Sequence, residues 1–328
     1  MTVTDLAPPV ASPITERLTL LVRQVRLEAT GIHSYELVDP DGGALPPASA
    51  GSHIDVHLPN GIVRPYSLAH DPAQRHRYLI AVLREDRGRG GSRAVHETLH
   101  VGDRVRASMP RNTFRLACEA RRHILIAGGI GITPLLAMHH ELAAAHETYE
   151  LHYCAKSRAH AAFADDLEAA GAAFYFDGGD PRNGLDIAGL LRECAEGTHV
   201  YFCGPPGFMA ACAAATAHWP KKRVHSEYFV VPTAAAEAQI APGAFIVEIA
   251  STGMRLTVAA DQNIVDALSE NGIFVETSCV SGLCATCKVG YLAGTVEHRD
   301  FILEDSERAT FLTTCVSRAS SPSLTLDL

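Results

Sequence analysis

The sequence lacks any apolar run long enough to cross a lipid bilayer. The most apolar stretch of its 328 residues, HILIAGGIGITPLLAM (123–138), is interrupted by three glycines and a proline. It is also shorter than the roughly 20 residues that a transmembrane helix needs. A basic and then apolar stretch ahead of a small-residue cleavage site, which marks a secretory signal, is missing as well. We therefore expect a cytoplasmic protein with no membrane partner.

Positive charge is scarce relative to negative charge. The chain has 28 Lys and Arg against 37 Asp and Glu, a net charge of −9. This balance argues against nonspecific binding to nucleic acid or to acidic membranes. The hydrophobic content of 47% is ordinary for a globular protein, and the length predicts two or three domains. No nucleic-acid partner is expected, and we expect the isolated chain to be monomeric.

The signatures of acid–base catalysis and of oxygen activation are also missing. No Ser-His-Asp set or carboxylate pair stands out. His96 and His100 have three residues between them, and His139 and His140 are adjacent, but no acidic pattern completes a non-haem iron triad. We therefore do not expect this chain to activate oxygen itself.

Short strands fill residues 17–115. Apolar and polar residues alternate over strand lengths, and turn signals such as DPDGG and LPNG separate the runs. The predicted strands are LTLLVRQVRL (18–27), SYELV (34–38), HIDVHL (53–58), RPYSLA (64–69) and RYLIAVL (77–83). Several short strands with little helical periodicity predict an antiparallel β-barrel.

Strands and helices alternate from residue 116 to residue 231. Strands are predicted at 123–127, 149–155, 172–177, 198–204 and 222–229. Helices are predicted between them at 134–146, 161–170, 186–195 and 205–218. This alternation is typical of an α/β domain with a doubly wound parallel sheet.

A third segment, 243–328, follows an Ala- and Pro-rich stretch at 232–242 that has the composition of a linker. Two hairpin strands, one helix, a long cysteine-bearing loop and a short terminal strand predict a small α+β domain, for which we expect a β-grasp-like sheet. Its eleven acidic and five basic residues give a net charge of −6, so most of the negative charge lies here.

Four of the nine cysteines have the spacing of metal ligands. Cys279, Cys284 and Cys287 follow the pattern C-x4-C-x2-C, and 27 residues separate them from Cys315, as in plant-type 2Fe–2S sites. Gly282 and other small neighbours let backbone N–H groups approach the sulfurs. A four-cysteine zinc site is the alternative, although zinc sites usually use two short pairs. The isolated cysteines are predicted to be small buried hydrophobes: Cys118, Cys154, Cys194 and Cys212.

Two turns in the α/β segment carry glycines. GGIGITP (128–134) joins the first strand to its helix, and CGPPGF (203–208) ends a later strand of the same sheet. Glycine lets backbone approach a phosphate, and a helix N-terminus offers N–H donors. Both turns lie at the carboxyl ends of strands, where doubly wound sheets bind ligands. The pattern predicts a nucleotide phosphate site, with a tight turn that binds nothing as the alternative.

Two motifs in the barrel segment indicate an aromatic cofactor with a phosphate. RPYSL (64–68) supplies Arg64 for a phosphate, the flat face of Tyr66 and the hydroxyl of Ser67. GRGGS (88–92) precedes a helical stretch and again places N–H donors at a helix start. Backbone groups of the preceding strand are available to a flat ring. An ordinary surface Arg and a packed Tyr are the alternative.

Together these motifs resemble the ferredoxin–NADP reductase superfamily. The order of the segments resembles the phthalate dioxygenase reductase and vanillate O-demethylase reductase family over 17–328, and the last segment resembles plant-type ferredoxins. The resemblance implies a flavin-binding barrel at 17–115, an NAD-binding domain at 116–231 and a 2Fe–2S domain at 243–328. It also implies NADH and, because of the GRGGS turn, FMN rather than FAD.

The resemblance assigns residues to each group. As catalytic residues it implies Ser67, near the flavin N5, and Cys203, beside the nicotinamide. The cofactor-binding residues that it implies are Arg64, Tyr66, Ser67, Ala81, Val82, Gly90, Gly91, Ser92, Gly128, Gly129, Gly131, Thr133, Cys203, Gly204, Pro205 and Phe229, with Glu227 nearby. The metal ligands that it implies are Cys279, Cys284, Cys287 and Cys315.

The implied function is electron transfer from NADH through FMN and a 2Fe–2S cluster to a separate terminal oxygenase, with a Rieske non-haem iron enzyme favoured. A cytochrome P450 or another acceptor is the alternative. A redox sensor or zinc-stabilised scaffold is a further hypothesis from another class. Lys156, Ser157 and Arg158 follow the second strand of the α/β segment and keep NADPH open as the alternative nucleotide.

Overall fold

The computed structural model describes residues 17–230 and 243–328. Residues 17–230 form one compact unit, and residues 243–328 belong to a second. The predicted linker at 232–242 and the N-terminal residues 1–16 lie outside the described residues. Within the described ranges, no helix has both the length and the apolar character needed to cross a membrane.

Residues 17–112 contain a seven-stranded antiparallel sheet and one helix. The elements are β1 (Arg17–Ala29), β2 (Ile32–Val38), β3 (Ser52–His57), β4 (Val63–Ser67), β5 (Tyr78–Leu83), α1 (Gly91–Thr98), β6 (Arg104–Ser108) and β7 (Arg111–Asn112). The order across the sheet is β4-β3-β6-β1-β2-β5, and β7 pairs with β3. All five predicted strands are present. The short strands β6 and β7, of five and two residues, were not predicted.

The core of this sheet follows from the alternation along its strands. In β1, Leu20 and Val22 are buried while their neighbours face outward, and Ile54 and Tyr78 are equally buried on β3 and β5. Antiparallel pairing of β3 with β4 places Ser67 opposite His53. Packing of this core therefore holds the RPYS motif in a defined register.

Residues 122–227 contain a five-stranded parallel sheet. The elements are β8 (Arg122–Gly128), α2 (Ile132–Ala144), β9 (Tyr149–Ala155), α3 (Ala164–Ala169), β10 (Ala173–Phe176), α4 (Ile187–Leu190), β11 (Thr198–Cys203), α5 (Pro206–Ala215) and β12 (Val224–Glu227). The order β10-β9-β8-β11-β12 places β8 at the centre, next to β11. The direction of strand succession reverses between these two strands, so the sheet has its ligand-binding crevice at their carboxyl ends.

Helix α4 is shorter than predicted. The pattern at 186–195 indicated a helix along its whole length, but only Ile187–Leu190 is helical. Gly189 lies inside the segment and disfavours helix. The carbonyl oxygen of Leu191 then accepts a hydrogen bond from the indole of Trp219, at 3.0 Å, instead of continuing the helical ladder.

Residues 243–328 form a small α+β unit. Its elements are β13 (Phe245–Ile249), β14 (Arg255–Val258), α6 (Ile264–Glu270), β15 (Lys288–Ala293), β16 (Val296–Glu297), β17 (Phe311–Thr313), β18 (Arg318–Ala319) and β19 (Ser323–Leu326). The main sheet has the order β14-β13-β19-β15-β17, in which only β13 and β19 are parallel. Helix α6 begins where the Asn263 side chain accepts a hydrogen bond from the Asp266 N–H at 2.8 Å.

Three of the four isolated cysteines are less buried than predicted. Cys212 is buried and Cys154 and Cys194 are half-buried, but Cys118 is exposed. Cys118 lies in the segment between β7 and β8, which forms neither strand nor helix in the structure. The prediction of a buried side chain was therefore wrong at this position, because a local apolar neighbourhood in sequence does not ensure packing.

Candidate functional site

Two glycine-containing turns meet at the carboxyl edge of the parallel sheet. A single 3-10 turn, Gly129–Gly131, follows β8, and Gly204 follows β11. A Cβ atom on Gly131 would lie 2.1 Å from the carbonyl oxygen of Cys203, and one on Gly204 would lie 3.0 Å from the Cα of Gly128. Such contacts are far inside van der Waals distance. Glycine at these positions therefore lets the two turns touch, a packing role that the sequence did not reveal.

Gly129 has the opposite environment. Its φ is +54°, and a Cβ atom built there would meet no atom within 4 Å. The backbone of this turn thus borders open space at the start of α2, and the start of a helix is a favourable place for an anion. The hydroxyl of Thr133 donates to the carbonyl of Ile130 at 3.1 Å and stabilises the turn.

Ser67, Cys203 and Glu227 converge although they come from three strands. Glu227 ends β12 and is the register partner of Cys203 at the end of β11. The hydroxyl of Ser67, at the end of β4, donates a hydrogen bond to Oε2 of Glu227 at 2.9 Å across 160 residues of sequence. The RPYS motif and the edge of the parallel sheet therefore form one site.

Burial controls the protonation of this site. Desolvation raises the pKa of Glu227 to about 7, and the hydrogen bond from Ser67 opposes that rise. Cys203 is fully buried. Desolvation, and secondarily the charge of Glu227, raise the pKa of its thiol well above the usual value. Glu227 can therefore gain or lose a proton near neutral pH, while Cys203 stays a neutral thiol.

The two barrel motifs also meet. A Cβ atom on Gly91 would lie 2.7 Å from Cγ and 2.8 Å from Nε of Arg64. Gly91 begins α1, after Gly90 with a φ of +81°, and the first turn of α1 has no acidic side chain. A guanidinium beside unpaired helix N–H groups is the chemistry that binds a phosphate. The Ser92 hydroxyl accepts a hydrogen bond from the Glu85 N–H at 3.0 Å, which holds this turn.

The remaining predicted flavin residues differ in exposure. Ala81 and Val82 are buried in β5, and the Val82 carbonyl accepts a hydrogen bond from Nε2 of His96 at 2.8 Å. Tyr66 is half-buried, and its burial raises the pKa of its hydroxyl above the usual value. Phe229, two residues beyond β12, is 38% exposed. An apolar ring left open to solvent beside Glu227 is available to stack on a flat ligand.

The four predicted ligand cysteines lie together in the second unit. Each is between 3% and 5% exposed. Gly282 has a φ of +70°, and Val280 and Ala285 are also in the left-handed region, at +49° and +56°. These turns aim donors at the sulfurs: the Leu283 N–H donates to Sγ of Cys279 at 3.3 Å. Sγ of Cys284 and the Thr286 hydroxyl share a hydrogen bond at 3.0 Å. The loop thus resembles a prepared ligand shell.

The four thiols interact most strongly as two pairs, Cys279 with Cys284 and Cys287 with Cys315. Contact with Cys279 lowers the pKa of Cys284 to about 6, and contact with Cys315 lowers the pKa of Cys287. No three His, Cys, Asp or Glu side chains within 17–230 and 243–328 are placed to hold a single metal ion. A zinc site brings four ligands to one ion, whereas two irons take two thiolates each. The pairwise contacts are therefore those that a cluster of two irons needs.

Comparison with known proteins agrees with both parts of this geometry. Residues 247–320 match the family model of the 2Fe-2S iron-sulfur cluster binding domain. Residues 103–224 match the N-terminal domain model of dimethylamine monooxygenase subunit DmmA-like proteins.

Two curated relatives are similar to nearly the whole chain. The reductase subunit of tert-butanol monooxygenase / tert-amyl alcohol desaturase from Aquincola tertiaricarbonis is 52% identical over 95% of this chain and 96% of the relative. The vanillate O-demethylase oxidoreductase of Pseudomonas putida is 46% identical over 92% of this chain and 96% of the relative. The chain belongs to the phthalate dioxygenase reductase and vanillate O-demethylase reductase family.

Solved structures support this oxygenase reductase family. The structure of phthalate dioxygenase reductase, described as a modular structure for electron transfer from pyridine nucleotides to 2Fe–2S, has a TM-score of 0.72 and 38% identity. It covers 95% of this chain and 98% of its own. An intact type IV self-sufficient cytochrome P450 monooxygenase has a TM-score of 0.85 and 38% identity over 98% of this chain, which spans 43% of that longer protein.

Membership of the oxygenase reductase family confirms most of the sequence interpretation. The fold class is confirmed: an antiparallel flavin barrel, a doubly wound α/β nucleotide domain and a small α+β ferredoxin domain. The chain is an oxidoreductase of the oxygenase reductase type that uses NADH, a flavin and a 2Fe–2S cluster and has a separate oxygenase as its partner. The redox-sensor and zinc-scaffold hypotheses are therefore wrong.

The structure adds residues that sequence reasoning treated as secondary. Glu227 was expected only near the flavin, yet it bridges Ser67 and Cys203. Its position two residues before Phe229, for which the resemblance implies a place against the flavin, was the available signal. The sequence held no signal for the residues that pack against the cluster loop. A Cβ on Gly282 would meet Val316 at 2.8 Å and the Cα of Asp300 at 3.0 Å.

Proposed function

We propose that this reductase carries electrons from NADH to a Rieske-type non-haem iron oxygenase that acts on a small organic molecule. The observation that carries the proposal is that one chain contains both sites. The thiols of Cys279 and Cys284 and those of Cys287 and Cys315 lie together, and Ser67 and Glu227 form the second site. The identity of the two curated relatives, which are reductases of a monooxygenase and of an O-demethylase, supports the acceptor class.

In this proposal the barrel holds FMN. Arg64 and the N-terminus of α1, at Gly90, Gly91 and Ser92, bind the phosphate. Tyr66 and the exposed ring of Phe229 cover the isoalloxazine, and the backbone of Ala81 and Val82 borders its edge. Bound FMN supplies the conversion of an electron pair from NADH into single electrons, and the cluster supplies a carrier for one electron.

The parallel sheet positions the nucleotide. We assign the pyrophosphate to Gly128, Gly129, Gly131 and the helix start at Thr133, and the nicotinamide to the corner formed by Cys203, Gly204 and Pro205. The neutral, fully buried thiol of Cys203 keeps water and charge away from the ring. Ser67 and Oε2 of Glu227 form a hydrogen-bonded pair that takes up or releases a proton near pH 7.

The ligand loop makes the second unit the electron exit. Cys279 and Cys284 would bind one iron, and Cys287 and Cys315 the other. Hydrogen bonds from the Leu283 N–H and the Thr286 hydroxyl to the sulfurs spread the negative charge of the site. Burial of the four cysteines excludes water from their sulfurs.

The proposal divides the chain into domains at 17–115, 116–231 and 243–328, joined before the last by a linker at 232–242. Expression of 17–231 alone tests this division, because a fragment with a complete flavin and nucleotide site retains FMN and reduces ferricyanide with NADH. We further place the protein in the cytoplasm as a monomer. Size-exclusion chromatography with light scattering tests the monomer, which a dimer mass near twice 35.1 kDa would contradict.

The decisive experiment uses the purified holoprotein and its Cys315→Ser variant under anaerobic conditions. The holoprotein is expected to show flavin and iron–sulfur absorbance that NADH bleaches, and to reduce a Rieske oxygenase. The variant is expected to lose the iron–sulfur absorbance and oxygenase reduction while it keeps NADH-dependent ferricyanide reduction. A holoprotein without flavin bands, or with no electron transfer to any Rieske oxygenase encoded beside it, would count against the proposal.

A haem-containing oxygenase of the cytochrome P450 type is the second candidate acceptor. The likeness of this chain to part of a self-sufficient cytochrome P450, at 38% identity, favours it. Reduction of a partner P450 by NADH under carbon monoxide gives a haem spectrum that a Rieske oxygenase cannot give. Faster reduction of the haem partner than of the Rieske partner would make the P450 the acceptor.

A further inference from the structure

The loop after β9 carries the three residues that left NADPH open, and the sheet order shows where this loop lies. The glycine turn follows β8, and the Cys203 corner follows β11 on one side of it. If the pyrophosphate sits on the β8 turn and the nicotinamide by Cys203, the adenosine half extends to the other side, over the end of β9. Lys156, Ser157 and Arg158 follow β9 directly. They therefore face the adenosine ribose, where NADPH carries its additional phosphate.

The Arg158 guanidinium is already occupied. Its Nη2 pairs with Oδ1 of Asp165 at 2.7 Å, and its Nη1 pairs with Oε2 of Glu168 at 2.8 Å. Both carboxylates come from α3, where a spacing of three residues puts them on one face. Ser157 is occupied as well, because its hydroxyl and Nδ1 of His160 share a hydrogen bond at 2.8 Å.

The two ion pairs contribute little to stability. The side chains of Asp165 and Glu168 are 89% and 60% exposed, and exposed pairs of this kind are weak. Their effect on a ligand is larger. A 2′-phosphate carries about two negative charges at neutral pH, and here it would meet two carboxylates and a guanidinium whose charge they already neutralise, with Lys156 as the further cation of the loop. The 2′-hydroxyl of NADH needs no cation and meets no such repulsion.

We propose that Asp165 and Glu168 set the preference for NADH by holding Arg158 away from a 2′-phosphate. This inference rests on the proposed function, since it places the nucleotide on the carboxyl edge of the parallel sheet. It makes the two carboxylates of α3 specificity-determining residues, although neither has to touch the nucleotide.

The test compares the holoprotein with its Asp165→Asn/Glu168→Gln variant in steady-state ferricyanide reduction, with NADPH or NADH as the electron donor. Release of Arg158 is expected to raise kcat/KM for NADPH about tenfold, the contribution of one charge-assisted hydrogen bond to a phosphate. The gain is expected in KM rather than kcat, and to shrink at high salt. The value for NADH should stay within about twofold, and adding Arg158→Ala should cancel the gain for NADPH.

Asp166→Asn is the matched control. It removes one exposed negative charge from the same helix, and Asp166 makes no ion pair with Arg158 within the described structure. A binding readout accompanies the kinetics: 2′,5′-ADP should bind the double variant about tenfold more tightly, and 5′-AMP should bind both proteins equally.

Several results would overturn the inference. These are equal use of NADH and NADPH by the unsubstituted holoprotein, an unchanged affinity for 2′,5′-ADP in the double variant, or the same gain in Asp166→Asn. If neither nucleotide reduces the flavin, the proposed function fails. The 2′,5′-ADP titration still decides the role of the two carboxylates in that case.

Discussion

Gly131 shows how one missing side chain connects two parts of a site. In the sequence it belongs to a phosphate-binding pattern, whereas in the structure it also lies against the carbonyl of Cys203. The neighbouring Gly129 borders open space and has a positive φ. Glycine is therefore needed at the two positions for different physical reasons, close packing at Gly131 and backbone conformation at Gly129. The phosphate pattern describes both, and only the packing separates them.

Gly131→Ala is expected to destabilise the unit 17–230. The new Cβ would lie 2.1 Å from a backbone oxygen that no rotamer change can move, and overpacking of this kind costs on the order of 2 kcal/mol. Urea unfolding measures it, and KM for NADH should rise in parallel. Gly207→Ala is the control, because a Cβ there meets nothing within 4 Å. Equal stability of the two variants would show that the turns are not packed as described.

Glu227→Gln isolates the effect of one buried carboxyl group on the pH dependence of stability. The pKa of Glu227 in the folded protein, about 7, is above its usual value of 4.5. The stability that the protonated carboxyl provides is therefore present below pH 4.5 and is lost as pH rises through 7. Relative to the Gln variant, the wild-type protein should lose stability over this interval, by up to about 3 kcal/mol.

Chemical denaturation of both proteins between pH 5 and pH 8 measures the effect of Glu227. A pH-independent difference between them would contradict the raised pKa. Rates of flavin reduction by NADH over the same range should show a titration near pH 7 in the wild-type protein that the variant lacks.

At the scale of secondary structure, the contact between β4 and α1 builds the proposed phosphate site. Neither element is complete alone: β4 supplies Arg64, and α1 supplies a helix start with no acidic side chain. Gly91 permits their approach, since any side chain there would displace the arginine.

Arg64→Ala is expected to weaken FMN binding at least about tenfold, because a guanidinium–phosphate pair is lost. Arg64→Lys should fall in between, since an ammonium keeps the charge without the paired donors. Quenching of FMN fluorescence measures the dissociation constants. Arg104→Ala, on the exposed side of β6, is the control. Full retention of FMN by Arg64→Ala would remove Arg64 from the site.

Three histidines on or next to the strands predict acid sensitivity of the unit 17–230. Desolvation lowers the pKa values of His53, His70 and His225 to about 4. Each group binds a proton more readily when unfolded, so its contribution is complete above pH 6.5 and is lost as pH falls toward 4. For His53, which is 3% exposed, the loss is on the order of 3 kcal/mol.

Urea unfolding of the unit between pH 7 and pH 4.5 tests this sensitivity. Replacing His53 with Gln should flatten the dependence even if it lowers stability at pH 7. A dependence that is unchanged in the variant would contradict the buried neutral histidine.

At the scale of the whole molecule, charge is divided unevenly between the two units. Residues 243–328 carry eleven acidic and five basic residues, a net of −6 out of −9 for the chain. The unit with the cluster is thus the one with most of the negative charge. A partner oxygenase with a basic surface would be attracted to it over several ångströms.

Electron transfer to the oxygenase is therefore expected to slow as ionic strength rises. Salt at about 0.1 M already screens charges beyond roughly 10 Å. Stopped-flow transfer from the reduced protein to its oxygenase between 0.05 and 0.5 M salt measures this. Reduction of the flavin by NADH under the same salt series is the control. A transfer rate that does not change with salt would rule out electrostatic docking.

Local patterns were sufficient for most of the fold. The Cys279–Cys315 spacing, the RPYS and GGIGITP motifs and the strand periodicity identified the three architectures, because each depends on residues close in sequence. Helix α4 and the exposure of Cys118 were not predictable in this way. Both depend on what the rest of the chain provides for packing, such as the Trp219 indole at Leu191.

The sequence by itself determined the 2Fe–2S site, since ligand type and spacing are local properties, and the family resemblance of its other motifs implied the flavin and the nucleotide. Tertiary structure decided how their binding residues work together. It joined Ser67 to Glu227 across 160 residues, pressed Gly131 against Cys203 and tied Arg158 to two carboxylates of α3. Protonation and specificity depend on such contacts, because burial and charge pairing exist only once distant segments are packed together.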